Sequence, residues 1–119
     1  MKARVISLDG LKMNAVETDA NGVIGVDTIF KFRQTGEYVS AEYAGGKIRQ
    51  GYLVGLASDT KLVFSFCQLE SDGTLNSGKS TCNLEIGNTG LVRIIENFEW
   101  ASRQGGGKNV IQELRSHRH

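Results

Sequence analysis

Glu96 is the residue in this sequence best placed to do chemistry. It sits in residues 91–101, where Val92, Ile94, Glu96, Phe98 and Trp100 alternate against Leu91, Arg93, Ile95, Asn97 and Glu99. With Phe98 and Trp100 pointing inward, a period of two sends Glu96 inward as well. A carboxylate in that position is costly unless it is paired or hydrogen-bonded. Two readings stand side by side. Glu96 either orients a ligand or handles a proton among aromatics, or it is a structural carboxylate that is paired with an arginine or sits at the wet mouth of a barrel. Tyr43, Tyr52, Gln68 and Trp100 are its candidate companions. Each joins an apolar body to a polar tip, which suits a pocket wall and equally a plain β core. These five residues form the candidate ligand-binding set, and no catalytic residue is assigned.

Other chemistry finds little support. Arg93 is on the face opposite Glu96 in the same strand, so the two cannot pair, and Arg49 is likewise opposite Tyr52. Both read as surface residues, and Glu85 reads as a solvated acid near a turn. Cys67 and Cys82 have no histidine partner, since the two histidines are His117 and His119 in the tail. That argues against a Cys–His nucleophile and against a zinc site, and no metal or cofactor is expected. Gly73-Thr-Leu-Asn-Ser-Gly78-Lys79-Ser80 satisfies the phosphate-loop pattern to the letter. Such a loop must follow a buried strand and open a helix, whereas residues 80–86 read as extended.

The elements that must position Glu96 are strands. A run at 3–8 ends at Asp9-Gly10, and residues 11–18 put Leu11, Met13, Ala15 and Glu17 on one face. Residues 23–33 read as one strand with Val26, Thr28, Phe30 and Phe32 together, and residues 38–43 return after a Thr-Gly-Glu turn. Residues 47–57 place Ile48, Gln50, Tyr52, Val54 and Leu56 on the inward face and leave Leu53 outside. Leu62, Phe64, Phe66 and Gln68 share a face in residues 60–70. Residues 74–86 are interrupted by Gly78, and the segment from Asn109 to Leu114 reads as a closing strand in preference to a helix. Turns of Gly, Asn and Asp separate these runs, as a chain with 15 Gly and no Pro requires. Sequential short-turn strands pair in order, and closing the sheet hides its edges. The expected fold is all-β, an antiparallel up-and-down meander barrel of about eight strands, with one domain over 1–114 and a flexible tail over 115–119. Eight strands leave room for packed side chains or one small ligand.

Composition narrows the partners. A net charge of +1 gives no pull toward nucleic acid or an anionic membrane. No apolar run approaches the length of a membrane span, and the N-terminus has no apolar signal region. Two cysteines without close spacing fit free thiols in a reducing cytosol, so a cytoplasmic location is expected. A small-molecule ligand is the first expected partner. A second copy of the chain is the next, through an outer face that would expose Ile29, Leu53 and Ile95.

Phe30-Lys-Phe-Arg-Gln34, Ala41-Glu-Tyr-Ala-Gly-Gly-Lys-Ile48, Gly51, Leu53, Gly55, Gly78, Lys79, Glu85, Arg93, Glu96, Phe98, Trp100, Gly107 and Glu113 together resemble a family of small bacterial proteins labelled N-acetylglutamate synthase. The resemblance spans roughly residues 10–114. It departs at Gln68, where a His is usual, at Phe98 for Trp, at Ser80 for Cys and at Leu84 for Pro. The label implies an acetyl-CoA:glutamate N-acetyltransferase. The residues do not carry that activity: Arg103 and Gly106 are followed by Lys108 where a pyrophosphate loop has Gly or Ala, and no α/β layer surrounds them. The label therefore reads as a mistaken transfer, and a non-enzymatic protein is the expectation. The architecture is similar to avidin-like and lipocalin-like (calycin) barrels, which implies a small hydrophobic or amphipathic ligand.

Overall fold

A computed structural model describes residues 6–114. Eight strands follow in chain order: β1 (Lys12–Glu17), β2 (Ile29–Thr35), β3 (Tyr38–Gly45), β4 (Ile48–Ser58), β5 (Lys61–Glu70), β6 (Leu75–Ile86), β7 (Val92–Trp100) and β8 (Gly106–Glu113). Each pairs antiparallel with the next, and β8 pairs with β1, closing the barrel. Closure leaves no strand edge unpaired, which is what an all-strand chain without covering helices needs. The expected all-β meander barrel is the observed fold. The segment from Asn109 to Leu114 is part of the closing strand, which starts at Gly106 within the glycine run.

Antiparallel order sorts the interior into two ends. The starts of β1, β3, β5 and β7 and the ends of β2, β4, β6 and β8 lie together. They bring Met13, Val39, Leu62, Ile94 and Ile111 to one end, and Leu8 packs among them. All six are almost completely buried. Leu8 is fixed there because its N–H donates to Gln34 Oε1 and its neighbour Gly10 donates to the Phe32 carbonyl. This end is a solid aliphatic plug. The opposite end gathers Phe30, Tyr43, Phe66, Gln68, Phe98 and Trp100, so the aromatics and polar tips lie together.

Four features differ from the sequence reading. Residues 6–8 are not a strand, although Ile6 and Leu8 are buried, and the rest of the 3–8 run lies outside the described residues, as does the 115–119 tail. β2 begins only at Ile29; Val26 is exposed, and residues 18–28 form a long connection. β6 is continuous from Leu75 through Gly78 to Ile86, so the phosphate-loop pattern lies in a turn and a strand. The fourth is a β-bulge in β4. Ile48 faces Glu70, Gln50 faces Leu69 and Gly51 faces Gln68, while on the other side Gly45 faces Ile48 and Tyr43 faces Gly51. Both neighbours therefore see one extra residue in β4, and the bulge flips the phase of the strand beyond it. Ile48, Gly51, Leu53 and Ala57 point inward, and Tyr52, Val54 and Leu56 point out.

Candidate functional site

The bulge corrects one of the five candidate residues. Tyr52 is 58% exposed on the outer wall and cannot touch the interior. The other four, Tyr43, Gln68, Glu96 and Trp100, line one cavity inside the aromatic end. Its walls also include Phe30, Leu53, Phe64, Phe66, Phe98 and Asn109, and Gly22, Val23 and Ile24 roof it. The residual volume is about 30 Å³. One water needs roughly 10–15 Å³ measured this way, so the cavity has room for a water or two, or for a group of that size.

Two inward glycines let the aromatics meet. Gly51 lies between Tyr43 on β3 and Gln68 on β5, and a Cβ there would enter the Tyr43 ring. The vacant space lets the Tyr43 hydroxyl cross β4 and donate to Gln68 Oε1 at 2.8 Å. Gly78 does the same between Phe66 on β5 and Trp100 on β7. Those rings meet edge-on at 5.6 Å, and Trp100 meets Phe98 at 5.5 Å. Phe30 stacks on Tyr43 at 4.6 Å on the far wall. Alternating large and absent side chains thus fills the tapering barrel without a clash.

Glu96 is 5% exposed and faces Cys82 on β6 and Asn109 on β8 as direct register neighbours. Ser80 donates to Glu96 Oε2 at 2.5 Å, and Asn109 Nδ2 donates to Oε1 at 3.1 Å. Both donors are neutral. Among the described residues no Lys, Arg or His is buried, and Arg93 turns outward to Glu85 and Glu17. Burial pushes the Glu96 carboxyl above its ordinary range, against the opposing pull of those two hydrogen bonds. Burial and the Glu96 charge push the Cys82 thiol up. Burial, then the charges of Glu96, Cys67 and Glu70, push the Tyr43 phenol up. The interior therefore favours the neutral forms of Glu96, Cys82 and Tyr43.

A second polar chain runs toward the barrel mouth. Gln68 Nε2 donates to Glu70 Oε2 at 2.9 Å, Asn76 Nδ2 donates to the same oxygen at 2.8 Å, and Ser102 Oγ donates to Asn76 Oδ1 at 2.8 Å. Glu70, Asn76 and Asn109 were missed in the sequence. Glu70 was findable, because it continues the face of Phe66 and Gln68; Asn76 and Asn109 sit in strand segments whose starts the glycines obscure.

The connection at 18–28 acts as a strap across the mouth. Trp100 Nε1 donates to the Asn21 carbonyl at 3.0 Å, and Asn21 Nδ2 donates to the Gly106 carbonyl at 3.0 Å. The Asp19 N–H donates to Asn109 Oδ1 at 3.1 Å, so Asn109 ties the strap to Glu96. Beyond Gly22 and Val23 lies an outer groove of about 400 Å³ lined by Lys47, Glu70, Ser71 and Asp72. The tip of the strap separates this groove from the interior cavity.

A family model described as avidin-like protein matches residues 6–114. The chain belongs to the avidin-like family. No curated protein and no solved structure matches it. Avidin-like proteins are small β-barrels that typically bind small ligands, and theirs is a binding rather than an enzymatic family. The match supports the avidin-like part of the resemblance and does not carry the N-acetylglutamate synthase label. The loop geometry agrees: the Arg103 guanidinium lies over the Trp100 ring at 5.3 Å, and Gly106 and Gly107 enter β8 with no helix following. Of the three residues expected to expose an apolar outer face, Leu53 is buried, and Ile29 and Ile95 are half-buried. The exposed apolar residues of the outer wall instead include Tyr38, Tyr52, Val54, Leu56 and Val63 on β3, β4 and β5, with Val16, Leu75 and Ile86 elsewhere.

Proposed function

We propose that this avidin-like barrel is a non-catalytic carrier that holds one small ligand at its aromatic end, between Glu96 and Tyr43, beneath the 18–28 strap. The observation behind this reading is the asymmetry of the interior. One end is packed solid with aliphatics, while the other keeps a cavity rimmed by polar tips and roofed by a strap held through side-chain hydrogen bonds. Tyr43, Gln68, Glu96 and Trp100 are the proposed contacts, and a ligand larger than two waters displaces Val23 and Ile24. Free Cys67 and Cys82 fit a reducing, cytoplasmic setting. Thermal-shift screening of metabolites tests the proposal: a binder should raise the melting temperature by mass action. If nothing in a broad panel stabilises the protein, the reading fails.

Self-association is a second reading, carried by the outer wall. Tyr38, Leu56 and Val63 face one another across β3, β4 and β5, and Tyr52 and Val54 extend the patch along β4. Avidin-like proteins often form oligomers, which makes a second copy of this chain the occupant of choice. Light scattering after size exclusion should give a mass above one chain, and Tyr52→Ser with Leu56→Ser should return it to one. A strict monomer at all concentrations removes this reading.

A further inference from the structure

We infer that the ligand is a small organic cation whose ammonium group sits between the Glu96 carboxylate and the aromatic rings of the cavity. This rests on the carrier reading above and names its ligand class.

Charge is the first ground. Glu96 is the one ionisable carboxyl that lines the cavity, and every hydrogen bond it receives comes from a neutral side chain. A carboxyl buried to this degree is content with a proton or with a cation, and not with neither. Among the described residues no basic side chain lines the cavity, so an anionic ligand would meet an acid and no counter-charge. The second ground is the wall itself. Phe30, Tyr43, Phe66, Phe98 and Trp100 surround the space with π-systems, which attract a desolvated ammonium and do little for a neutral polar group. The third is the entrance. The groove outside the strap sets the Glu70 and Asp72 carboxylates against the single ammonium of Lys47, so its field favours cations. Size agrees as well: about 30 Å³ suits an ammonium or methylammonium head, and the rest of a longer ligand would pass the strap into the groove.

The proton balance follows. In the empty barrel burial favours the protonated form of Glu96. An incoming alkylammonium binds as the cation, Glu96 gives its proton to solvent, and the pair is one carboxylate with one ammonium. The other titratable groups facing Glu96 are Cys82 on β6 and Tyr43 across the cavity on β3, both held neutral, while the strap contributes the Asp19 backbone N–H through Asn109. Uptake of the cation therefore releases one proton, and affinity should rise about tenfold per pH unit while Glu96 is protonated in the empty barrel.

The test is an NMR titration of the full chain with methylammonium, ethylammonium, neutral acetamide and acetate, reading the Glu96 side-chain carboxyl carbon and the Asn109 and Gln68 side-chain amides. Cations should shift all three sets, move the Glu96 carbon to its ionised position, and bind about tenfold more weakly for each pH unit lowered. Glu96→Gln should weaken cation binding by at least about tenfold and flatten the pH dependence. Should that variant not fold, the pH slope and carbon shift of the wild-type protein decide alone. If acetamide or acetate binds the interior as well as the cations do, and Glu96 stays protonated, the cation inference falls while the carrier reading stands. If no probe of any charge moves the interior signals, both fall.

Discussion

Replacing Glu96 with glutamine should make the protein more stable at neutral pH, and the gain should grow with pH. The carboxyl is buried with no counter-ion among the described residues, and burial raises its pKa above the ordinary 4.5. In the unfolded chain it ionises near that ordinary value. Between the two values the folded state holds a proton that the unfolded state has lost. Stability from this group is therefore full below about pH 4.5 and falls as pH rises toward the folded value, by up to about 1.4 kcal/mol per pH unit. The introduced amide keeps the volume, accepts from Asn109 Nδ2, and donates to a Ser80 hydroxyl that can rotate to accept. It has no proton to lose. Wild type and Glu96→Gln should thus match near pH 4.5 and diverge above it, with roughly 4–8 °C of melting temperature per pH unit for a chain of this size. Cys82 and Tyr43 have ordinary values of 9.0 and 10.0 and burial raises both in the folded state, so they stay largely neutral in both states from pH 5 to 8 and contribute little there. Urea unfolding of both proteins at half-unit steps from pH 5 to 8 measures the difference. A constant difference across the window, or a wild type that gains on the variant as pH rises, would refute the uncompensated buried carboxyl.

Three further perturbations probe the site's construction. Trp100→Phe removes the donor to the Asn21 carbonyl, which should cost about 1 kcal/mol; by hydrogen exchange the Gly22 amide, bonded to Asp19, should open faster while the Phe32 amide, bonded to Leu11, should not. Tyr43→Phe leaves Gln68 Oε1 without its donor in the interior and should cost roughly 1–3 kcal/mol, whereas Tyr52→Phe on the outer wall should stay within about 0.5 kcal/mol, both read by urea unfolding. Gly51→Ala drives a Cβ into the Tyr43 ring and should cost roughly 1–3 kcal/mol, while Gly25→Ala, which meets nothing nearby, should be close to neutral in the same assay.

The barrel was legible because its signals are local. Alternation through Phe30 and Phe32, through Leu62 to Gln68, and through Ile94 to Trp100 assigns faces directly, and Gly, Asn and Asp turns without proline mark a meander. Four residues of the cavity wall, Tyr43, Gln68, Glu96 and Trp100, followed from the same rule. Tyr52 did not, because the bulge after Ile48 inserts one residue and inverts the parity beyond it; nothing within β4 announces that insertion, which shows only in the registers against β3 and β5. The second half of the strap, residues 23–28, was read as strand because Val23, Ile24 and Val26 are β-formers. Its true state depends on tertiary bonds from Trp100 and Asn109, residues far along the chain. Gly78 was read as an interruption, yet it and Gly51 are each a vacancy that lets side chains two strands apart touch, a relation visible only once the strands are registered.

The most direct measurement is a crystal structure of the protein with the tightest binder from the metabolite screen. Density is expected inside the barrel between Glu96 and Tyr43, with Val23 and Ile24 moved off the mouth and the aliphatic end around Leu62 and Ile94 unchanged. A ligand resting on the outer wall or in the mouth groove, with the strap still bonded to Trp100, would contradict the assignment of the interior as the binding site.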